Sequence, residues 1–230
     1  MVSRYALFEQ CRSILEEKGI DSARFDTLCI FQDMLGERNP ILVTDKNKDV
    51  PPELSDKIME LVRRRSEGYP LQYLLGEWEF YGYPFKVGKG VLIPRPDTET
   101  LVEHTLAACR QIENKYPKII DLCSGSGCIA VTLKKEIPEA EVFAAEISDE
   151  AIKYLKQNAE LNNADITIIA VPSFAVRETA TRLKSFNTGI IVNVAKGFEK
   201  GRMKCLSDVI GEELPGRKIV VLSGPSHAEE

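Results

Sequence analysis

The sequence predicts an α/β protein in which an N-terminal helical bundle and a β-hairpin precede a doubly wound, mostly parallel sheet. Two observations support this prediction. Up to about residue 75 the apolar residues recur at helical spacing, whereas from Lys118 onward short apolar strands alternate with helices. Parallel strands need crossover helices of this kind to connect them, so the second part is expected to be a sheet covered on both faces.

The composition is that of an ordinary globular chain. It has 230 residues, 43% of them hydrophobic, and a formal net charge of −5. This length allows one large domain, or one domain with a small accessory unit. The negative charge argues against nucleic-acid binding as the main role. The basic cluster Arg63-Arg64-Arg65 is interpreted as a solvated helix end, where cations favour the helix dipole.

Six cysteines are spread singly along the chain, with no Cys-x-x-Cys pair and no histidine cluster. We therefore expect no metal site and no disulfide framework, but reduced and mostly buried thiols in a cytoplasmic protein. The sequence has no run of 18 apolar residues, and its N-terminus lacks a long apolar core. It predicts neither a membrane span nor a signal peptide.

Residues 1–75 are expected to form a domain of short amphipathic helices. The first helix is predicted over residues 3–18, and Ser22 is expected to cap a second that ends at Gly36. Pro51-Pro52 introduces a third. The apolar positions are Leu7, Cys11 and Ile14 in the first helix, and Phe25, Leu28, Cys29 and Phe31 in the second.

Residues 76–96 are expected to form a β-hairpin and a linker. Two aromatic-rich runs flank Gly82 and Pro84, which favours a hairpin. The prolines of the run from Gly90 to Pro96 keep the next stretch extended. Asp97 or Thr98 is then expected to cap a helix that runs to about residue 113.

Residues 97–168 and 169–230 are expected to supply the two halves of a five-stranded sheet. The predicted strands cover residues 119–122, 141–145, 166–171, 189–194 and 218–222, and the predicted helices cover residues 129–136, 149–161, 175–183 and 203–213. Because strands and helices alternate, the strands are expected to be mostly parallel.

A glycine-rich turn, Asp121-Leu-Cys-Ser-Gly-Ser-Gly-Cys-Ile-Ala, follows the first of these strands. Gly125 and Gly127 permit a tight turn and the close approach of a ligand to the backbone. Glu146 ends the next strand, where a carboxylate can accept both ribose hydroxyls of an adenosine. The spacing leaves NAD and S-adenosylmethionine both open, while Asp121 at the strand end favours a cationic sulfonium over a pyrophosphate.

Three runs together resemble the release-factor glutamine methyltransferases: Tyr69-Pro-Leu-Gln-Tyr-Leu-Leu-Gly, Gly90-Val-Leu-Ile-Pro-Arg-Pro-Asp-Thr-Glu and the glycine turn. The resemblance covers about residues 1–168. It implies a bundle that recognises the release factor, a hairpin and a Rossmann-like class I methyltransferase domain. This family methylates the side-chain amide of a glutamine in peptide chain release factors. By motif, the residues that hold the methyl donor would be Cys123, Ser124, Gly125, Ser126 and Gly127, with Glu146 on the ribose.

The sequence departs from this family after about residue 168. The family places Asn-Pro-Pro-Tyr at the end of its fourth strand, where the Asn and a proline carbonyl grip the substrate amide. The 230 residues contain no Asn-Pro-Pro-Tyr. No catalytic residue is therefore assigned, and turnover is expected to be impaired.

Residues 166–230 instead resemble NAD(P)-dependent glycerol-3-phosphate dehydrogenase. The matching runs start at Ala170, Ile191 and Leu222. By this resemblance Lys196 would contact cofactor and substrate, Gly224 and Ser226 the substrate, and Ala228 the cofactor. The chain is interpreted as a chimera of two doubly wound sheets, joined near residues 166–170.

The leading prediction is an S-adenosylmethionine-dependent methyltransferase of the release-factor glutamine type with impaired turnover. The alternatives are a fragment of an NAD(P)-dependent glycerol-3-phosphate dehydrogenase and a non-catalytic module that binds the donor. The expected partner is a peptide chain release factor, with no direct nucleic-acid, membrane or metal partner.

Overall fold

The computed structural model describes residues 2–41, 47–111, 116–165, 167–170, 190–193 and 204–221, together with residues 177, 180, 181, 184, 199 and 202. The chain divides into two compact units, Met1–Gly76 and Glu77–Glu230. Helices dominate the first unit and a parallel sheet the second, which confirms the predicted α/β class.

The first unit is a small helical bundle with a two-stranded antiparallel ribbon. Its elements are β1 (Val2–Ser3), α1 (Arg4–Glu17), α2 (Ala23–Leu35), β2 (Asp49–Val50), α3 (Pro52–Ser66) and α4 (Leu71–Leu75). The buried side of α1 consists of Arg4, Leu7, Phe8, Cys11 and Leu15. Ile14, predicted on this stripe, is half-buried, because the buried side turns toward Leu15 instead.

The second helix is not capped as predicted. Ser22 makes no side-chain capping bond, because its backbone already lies near the helical region (φ −85°, ψ 15°). By contrast, Ser3 is extended and its hydroxyl accepts a hydrogen bond from the N–H of Ala6 at 3.3 Å, as N-cap residues do. The predicted end of the helix is correct, since Gly36 adopts the left-handed conformation (φ 64°).

The buried side of α2 also differs from the predicted one. Phe25 is 53% exposed, and Leu28 and Cys29 are half-buried. The buried residues are Ala23, Asp26, Thr27, Ile30 and Phe31. The carboxylate of Asp26 turns inward because it accepts a hydrogen bond from Nε of Arg65 on α3, at 2.6 Å. A charged residue that has a partner on α3, rather than Phe25, thus faces the bundle.

The arginine cluster is therefore not simply a solvated helix end. Arg65 pairs with buried Asp26, and the guanidinium of Arg64 lies 4.5 Å from the ring centroid of Tyr69. Only Arg63 matches the prediction, since it is exposed and pairs with carboxylates of its own helix.

The second unit begins with the predicted hairpin. Strands β3 (Glu77–Phe80) and β4 (Tyr83–Lys86) pair antiparallel, and the Phe80 and Phe85 rings pack edge to face. Helix α5 (Asp97–Arg110) follows the linker without the predicted side-chain cap from Asp97 or Thr98. The carbonyls of Arg95 and Pro96 accept the first N–H groups instead, because Pro96 already has a helical φ.

In the described part of the second unit, the remaining strands form a five-stranded parallel sheet of order β7-β6-β5-β8-β9, and helices connect several of them. These strands and helices are β5 (Lys118–Leu122), α6 (Cys128–Glu136), β6 (Glu141–Glu146), α7 (Asp149–Leu161), β7 (Thr167–Ala170), β8 (Ile190–Asn193), α8 (Leu206–Glu213) and β9 (Lys218–Val221). Most of the predicted helix over residues 175–183 lies outside the described residues.

Both faces of the sheet carry buried apolar side chains, as a doubly wound sheet requires. One face packs against the hairpin, α5, α6 and α7, with Ile119 of β5 at its centre. The other face includes Ile120 and packs against Ile210 of α8. Neighbouring residues of one strand thus face opposite layers, so β5 is buried on both sides.

The six cysteines lie in described ranges and form no disulfide. Three of them are buried, Cys29 and Cys123 are half-buried, and Cys205 is exposed, so fewer thiols are buried than predicted. In the part of the chain that the structure describes, no helix is long and apolar enough to cross a membrane.

Replacing Arg65 by alanine is expected to lower the free energy of unfolding by about 2 kcal/mol, because the buried Asp26 carboxylate loses its hydrogen bond from a charged donor. The matched control is Arg63→Ala on the same helix, where both partners are exposed and the loss is expected to be much smaller. Denaturant unfolding followed by circular dichroism measures both variants. Equal losses would contradict a special role for the Asp26–Arg65 pair.

Candidate functional site

The glycine turn lies where the central strand β5 ends and α6 begins. Three of its residues adopt the left-handed conformation: Cys123 (φ 62°), Gly125 (φ 55°) and Gly127 (φ 79°). Only glycine adopts this region without cost, which explains two of these positions. Gly127 is the N-terminal cap of α6, so the turn presents the start of a helix at the carboxyl edge of the sheet.

Glu146, at the end of the neighbouring strand β6, holds the turn in place. Its Oε2 accepts a hydrogen bond from the N–H of Gly125 at 2.7 Å. Its Oε1 accepts two more, from the N–H groups of Ile147 at 2.7 Å and Ser148 at 2.9 Å. The side chain is 7% exposed, so these bonds are formed largely out of water. The carboxylate thus fixes the relative positions of two loops at this edge.

Ser124 adds a second set of contacts between the turn and the strands. Its N–H donates to the carbonyl of Ala145 at 3.0 Å, and its hydroxyl donates to the carbonyl of Asp121 at 2.9 Å. The structure therefore brings together the six residues predicted to bind the donor, from Cys123 to Gly127 and Glu146. Their role in binding stays a prediction.

Asp121 is a fully buried carboxyl group directly before the turn. Neither of its carboxylate oxygens has a hydrogen bond of normal geometry among the described residues, although the Ser124 side chain and the Ala130 backbone lie close enough to lower its pKa. Burial raises the pKa of Asp121 from 3.8 to about 7, and the nearby charge of Glu146 acts in the same direction. A positively charged group nearby would favour the ionised form of Asp121. The sequence predicts a ligand of this kind, a cationic sulfonium, at this end of the strand.

The two thiols of the turn are not nucleophiles. Burial raises the pKa of Cys123 to about 11, with the charges of Glu146 and Asp121 adding to the effect. Burial likewise raises the pKa of Cys128 to about 12. Both thiols therefore stay protonated at neutral pH, and only the thiolate form is reactive.

The residues predicted from the second resemblance cannot be placed. Lys196, Gly224, Ser226 and Ala228 lie outside the described residues. Within the described ranges, no group of three or more histidine, cysteine, aspartate or glutamate side chains is arranged to hold a metal ion.

Asn158 of α7 is a contact of the turn that sequence reasoning missed. It is fully buried, and its Nδ2 donates a hydrogen bond to the carbonyl of Ser126 at 2.9 Å. The sequence offers one weak signal for it. A polar residue one turn after Leu155 falls on the buried side of an amphipathic helix, where it requires a partner.

Two family models match separate parts of the chain. The family described as "PrmC N-terminal domain" matches residues 6–76, and that described as "NAD-dependent glycerol-3-phosphate dehydrogenase N-terminus" matches residues 139–230. The second match begins before residue 166, where the resemblance was expected to start. It thus includes β6 and α7 as well as the last strands.

Curated relatives match as well, and the following three are each named release factor glutamine methyltransferase. That of Fusobacterium nucleatum is 39% identical over 160 residues, which cover 69% of this chain and 45% of the relative. That of Thermodesulfovibrio yellowstonii is 44% identical over 126 residues, with coverages of 55% and 45%. That of Geobacter sulfurreducens is 40% identical over 157 residues, with coverages of 68% and 54%. The chain spans about half the length of these relatives.

Solved structures share a more distant likeness. A methyltransferase from Agrobacterium tumefaciens, described as SAM-dependent, is 17% identical, with a TM-score of 0.46 over 66% of this chain and 54% of that one. A tRNA (uracil-54, C5)-methyltransferase from Pyrococcus abyssi is 18% identical, with a TM-score of 0.44 over 61% of this chain and 32% of that one.

The expected resemblances to release-factor glutamine methyltransferases and to glycerol-3-phosphate dehydrogenase are confirmed by the sequence comparisons.

Replacing Asp121 by asparagine is expected to make the protein more stable than the original, by a margin that grows with pH. The folded state keeps the Asp121 proton up to a pKa of about 7, whereas the unfolded state releases it near 3.8. The stability of the original chain therefore falls as pH rises from about 4 to about 7, and asparagine removes this loss. Between pH 5 and pH 8 the margin should widen by about 3 kcal/mol, because each pKa unit corresponds to about 1.4 kcal/mol.

Denaturant unfolding at several pH values measures this margin. Asp149→Asn, at an exposed position in the first turn of α7, serves as the control. A margin for Asp121→Asn that stays constant from pH 5 to pH 8 would refute the assignment of a neutral, buried carboxyl group.

Proposed function

We propose that this chain binds S-adenosylmethionine at the glycine turn and is a methyltransferase of the type that methylates the side-chain amide of a glutamine in peptide chain release factors. The observation that carries the proposal is the preformed turn, in which Gly125 and Gly127 adopt the left-handed conformation and Glu146 at the end of β6 accepts a hydrogen bond from Gly125. The similarity of the chain to release factor glutamine methyltransferases gives this turn its interpretation.

The residues present fit this donor. Among the described residues, a Cβ atom at Gly125 would meet no atom within 4 Å, so they leave space beside the turn for a ligand. Oε2 of Glu146 accepts only the N–H of Gly125 and can accept a ribose hydroxyl as well, whereas the N–H groups of Ile147 and Ser148 use both lone pairs of Oε1. The buried carboxyl of Asp121 lies directly before the turn, and a ligand with a sulfonium and an ammonium group would favour its ionised form. The donor supplies an electrophilic methyl group when it is bound.

On this proposal the chain's own residues bind and orient the donor. The Glu146 carboxylate fixes the adenosine end, and its hydrogen bond from the N–H of Gly125 keeps the turn in place beside it. The helical unit Met1–Gly76, which matches the PrmC N-terminal domain over residues 6–76, is proposed to recognise the release factor.

The chain lacks the Asn-Pro-Pro-Tyr motif with which the family that it resembles holds the substrate amide. For this reason we propose that methyl transfer is slow. The fourth strand of the large sheet, β8, ends at Asn193, whose backbone pairs with Leu122 of β5. The next residues are Val, Ala and Lys instead of Pro, Pro and Tyr. An amide nitrogen is a poor nucleophile, so its methylation depends on orientation and on hydrogen bonds to the amide.

A second candidate function is supported by the family match over residues 139–230. On this alternative the chain contains part of the cofactor domain of an NAD(P)-dependent glycerol-3-phosphate dehydrogenase, and Lys196, Gly224 and Ser226 bind its ligands. The third possibility is a module that binds the methyl donor without catalysis. Ligand binding distinguishes the methyltransferase from the dehydrogenase fragment. Methyl transfer distinguishes the methyltransferase from the non-catalytic module.

We expect the chain to bind S-adenosylhomocysteine in preference to NADH in isothermal titration calorimetry. Glu146→Ala should weaken this binding by about 1–3 kcal/mol, because a ribose hydroxyl loses its acceptor and the turn loses its hydrogen bond at Gly125. The matched control is Glu141→Ala at the other end of β6, where the exposed carboxylate pairs with Lys118 and lies away from the turn. Absent S-adenosylhomocysteine binding, or equal effects of both substitutions, would count against the donor site, and tighter NADH binding would support the dehydrogenase alternative.

Methyl transfer to a release factor is expected to be at least about 100-fold slower than with a curated relative, because the residues that orient the substrate amide are missing. A radiolabelled donor and a bacterial release factor as acceptor provide the assay, with the Geobacter sulfurreducens relative as reference. Turnover close to that of the reference would show that this chain orients the amide by other residues.

A further inference from the structure

Asn158 joins two segments that are far apart in sequence. Its Oδ1 accepts a hydrogen bond from the N–H of Lys86 at 2.6 Å. Its Nδ2 donates to the carbonyl of Lys86 at 3.1 Å and to the carbonyl of Ser126 at 2.9 Å. Both hydrogens of the amide nitrogen are thus used, one toward the end of the hairpin and one toward the glycine turn.

Two neighbours of Asn158 on α7 pack against the same two segments. A Cβ atom at Gly127 would lie 2.9 Å from Cγ of Leu155, so the turn lies directly on the helix. A Cβ atom at Gly88 would overlap the hydroxyl oxygen of Tyr154, so the linker after β4 also lies directly on α7. Helix α7 is therefore a common support for the turn and for the linker, independently of the hydrogen bonds of Asn158.

The hydrogen bonds of Asn158 are formed in a closed environment. The side chain has no exposed surface, so water cannot replace a lost partner without a rearrangement. The Ser126 carbonyl that it holds lies between Gly125 and Gly127, and glycine is the residue with the greatest backbone freedom. Fixing this carbonyl restricts the turn before any ligand arrives, which reduces the ordering cost of binding.

We propose that Asn158 is a positioning residue that couples the linker after β4 to the donor-binding turn. This inference rests on the proposed donor site. Asn158 does not touch the donor. It acts through the carbonyl of Ser126, and its link to Lys86 keeps the linker of residues 87–96 in register with the turn.

The chain contains a closely matched control in Asn162, one helical turn further along α7. Its Nδ2 also donates to two backbone carbonyls, those of Pro84 at 2.9 Å and Asn158 at 3.0 Å. It is nearly buried and holds the hairpin strand β4, but none of the hydrogen bonds of its side chain goes to the glycine turn. Asn158→Asp and Asn162→Asp therefore impose the same chemical change, a donor replaced by an acceptor that faces two carbonyls.

Calorimetric titration with S-adenosylhomocysteine is expected to show at least a tenfold weaker affinity for Asn158→Asp than for Asn162→Asp. Thermal unfolding measured alongside should show losses of similar size for the two variants, so that a general loss of stability does not explain the difference. Equal affinities would overturn the proposal. If an aspartate variant does not fold, Asn158→Ser and Asn162→Ser provide the same comparison without adding a charge.

Hydrogen exchange of the ligand-free proteins separates this inference from the donor proposal. The amides of residues 124–128 should exchange faster in Asn158→Asp than in both Asn162→Asp and the unaltered chain. Faster exchange without any S-adenosylhomocysteine binding to the unaltered chain would contradict the donor site but support the positioning of the turn. Equal exchange in the two variants would overturn the role of Asn158.

Discussion

The carboxylate of Glu146 accepts hydrogen bonds from three backbone N–H groups, and the geometry of the candidate site depends on this arrangement. One N–H belongs to the glycine turn after β5, and the other two belong to the loop after β6. A hydrogen bond to a charged group contributes about 1.5–3 kcal/mol, roughly twice the value of a neutral one. Two adjacent strand ends are therefore joined by one side chain, and a ligand meets a turn that is already formed.

The regular elements could be predicted from the sequence because their burial patterns are strong. Helix α7 has the predicted bounds, Asp149–Leu161, and the predicted strands differ from the observed ones by one or two residues at most. The buried side of α2 could not be predicted, because it depends on the pairing of Asp26 with Arg65, which lies on another helix. Long-range partners of this kind leave no periodic signal in either segment.

The candidate site likewise combines residues that could be predicted from the sequence with residues that could not. The glycine turn and Glu146 could be found because their roles are local: one needs glycine at left-handed positions, and the other needs an acidic residue at a strand end. Asn158 looks like an ordinary polar residue of a surface helix until Lys86 and Ser126 are placed beside it. Asp121 was noticed for its charge, but its complete burial, and with it the raised pKa, appears only when the sheet is assembled.

The sheet order places β5 in the centre, with β6 on one side and β8 on the other. Ile119 of β5 pairs with Val142 of β6 on one side and with Ile190 of β8 on the other. Ile119 and Ile190 are about 70 residues apart in sequence. Contacts between distant residues close large loops, and they form late and slowly in folding. During synthesis the strands β5 and β6 therefore have an open edge until β8 emerges, and this edge is exposed to association with other chains.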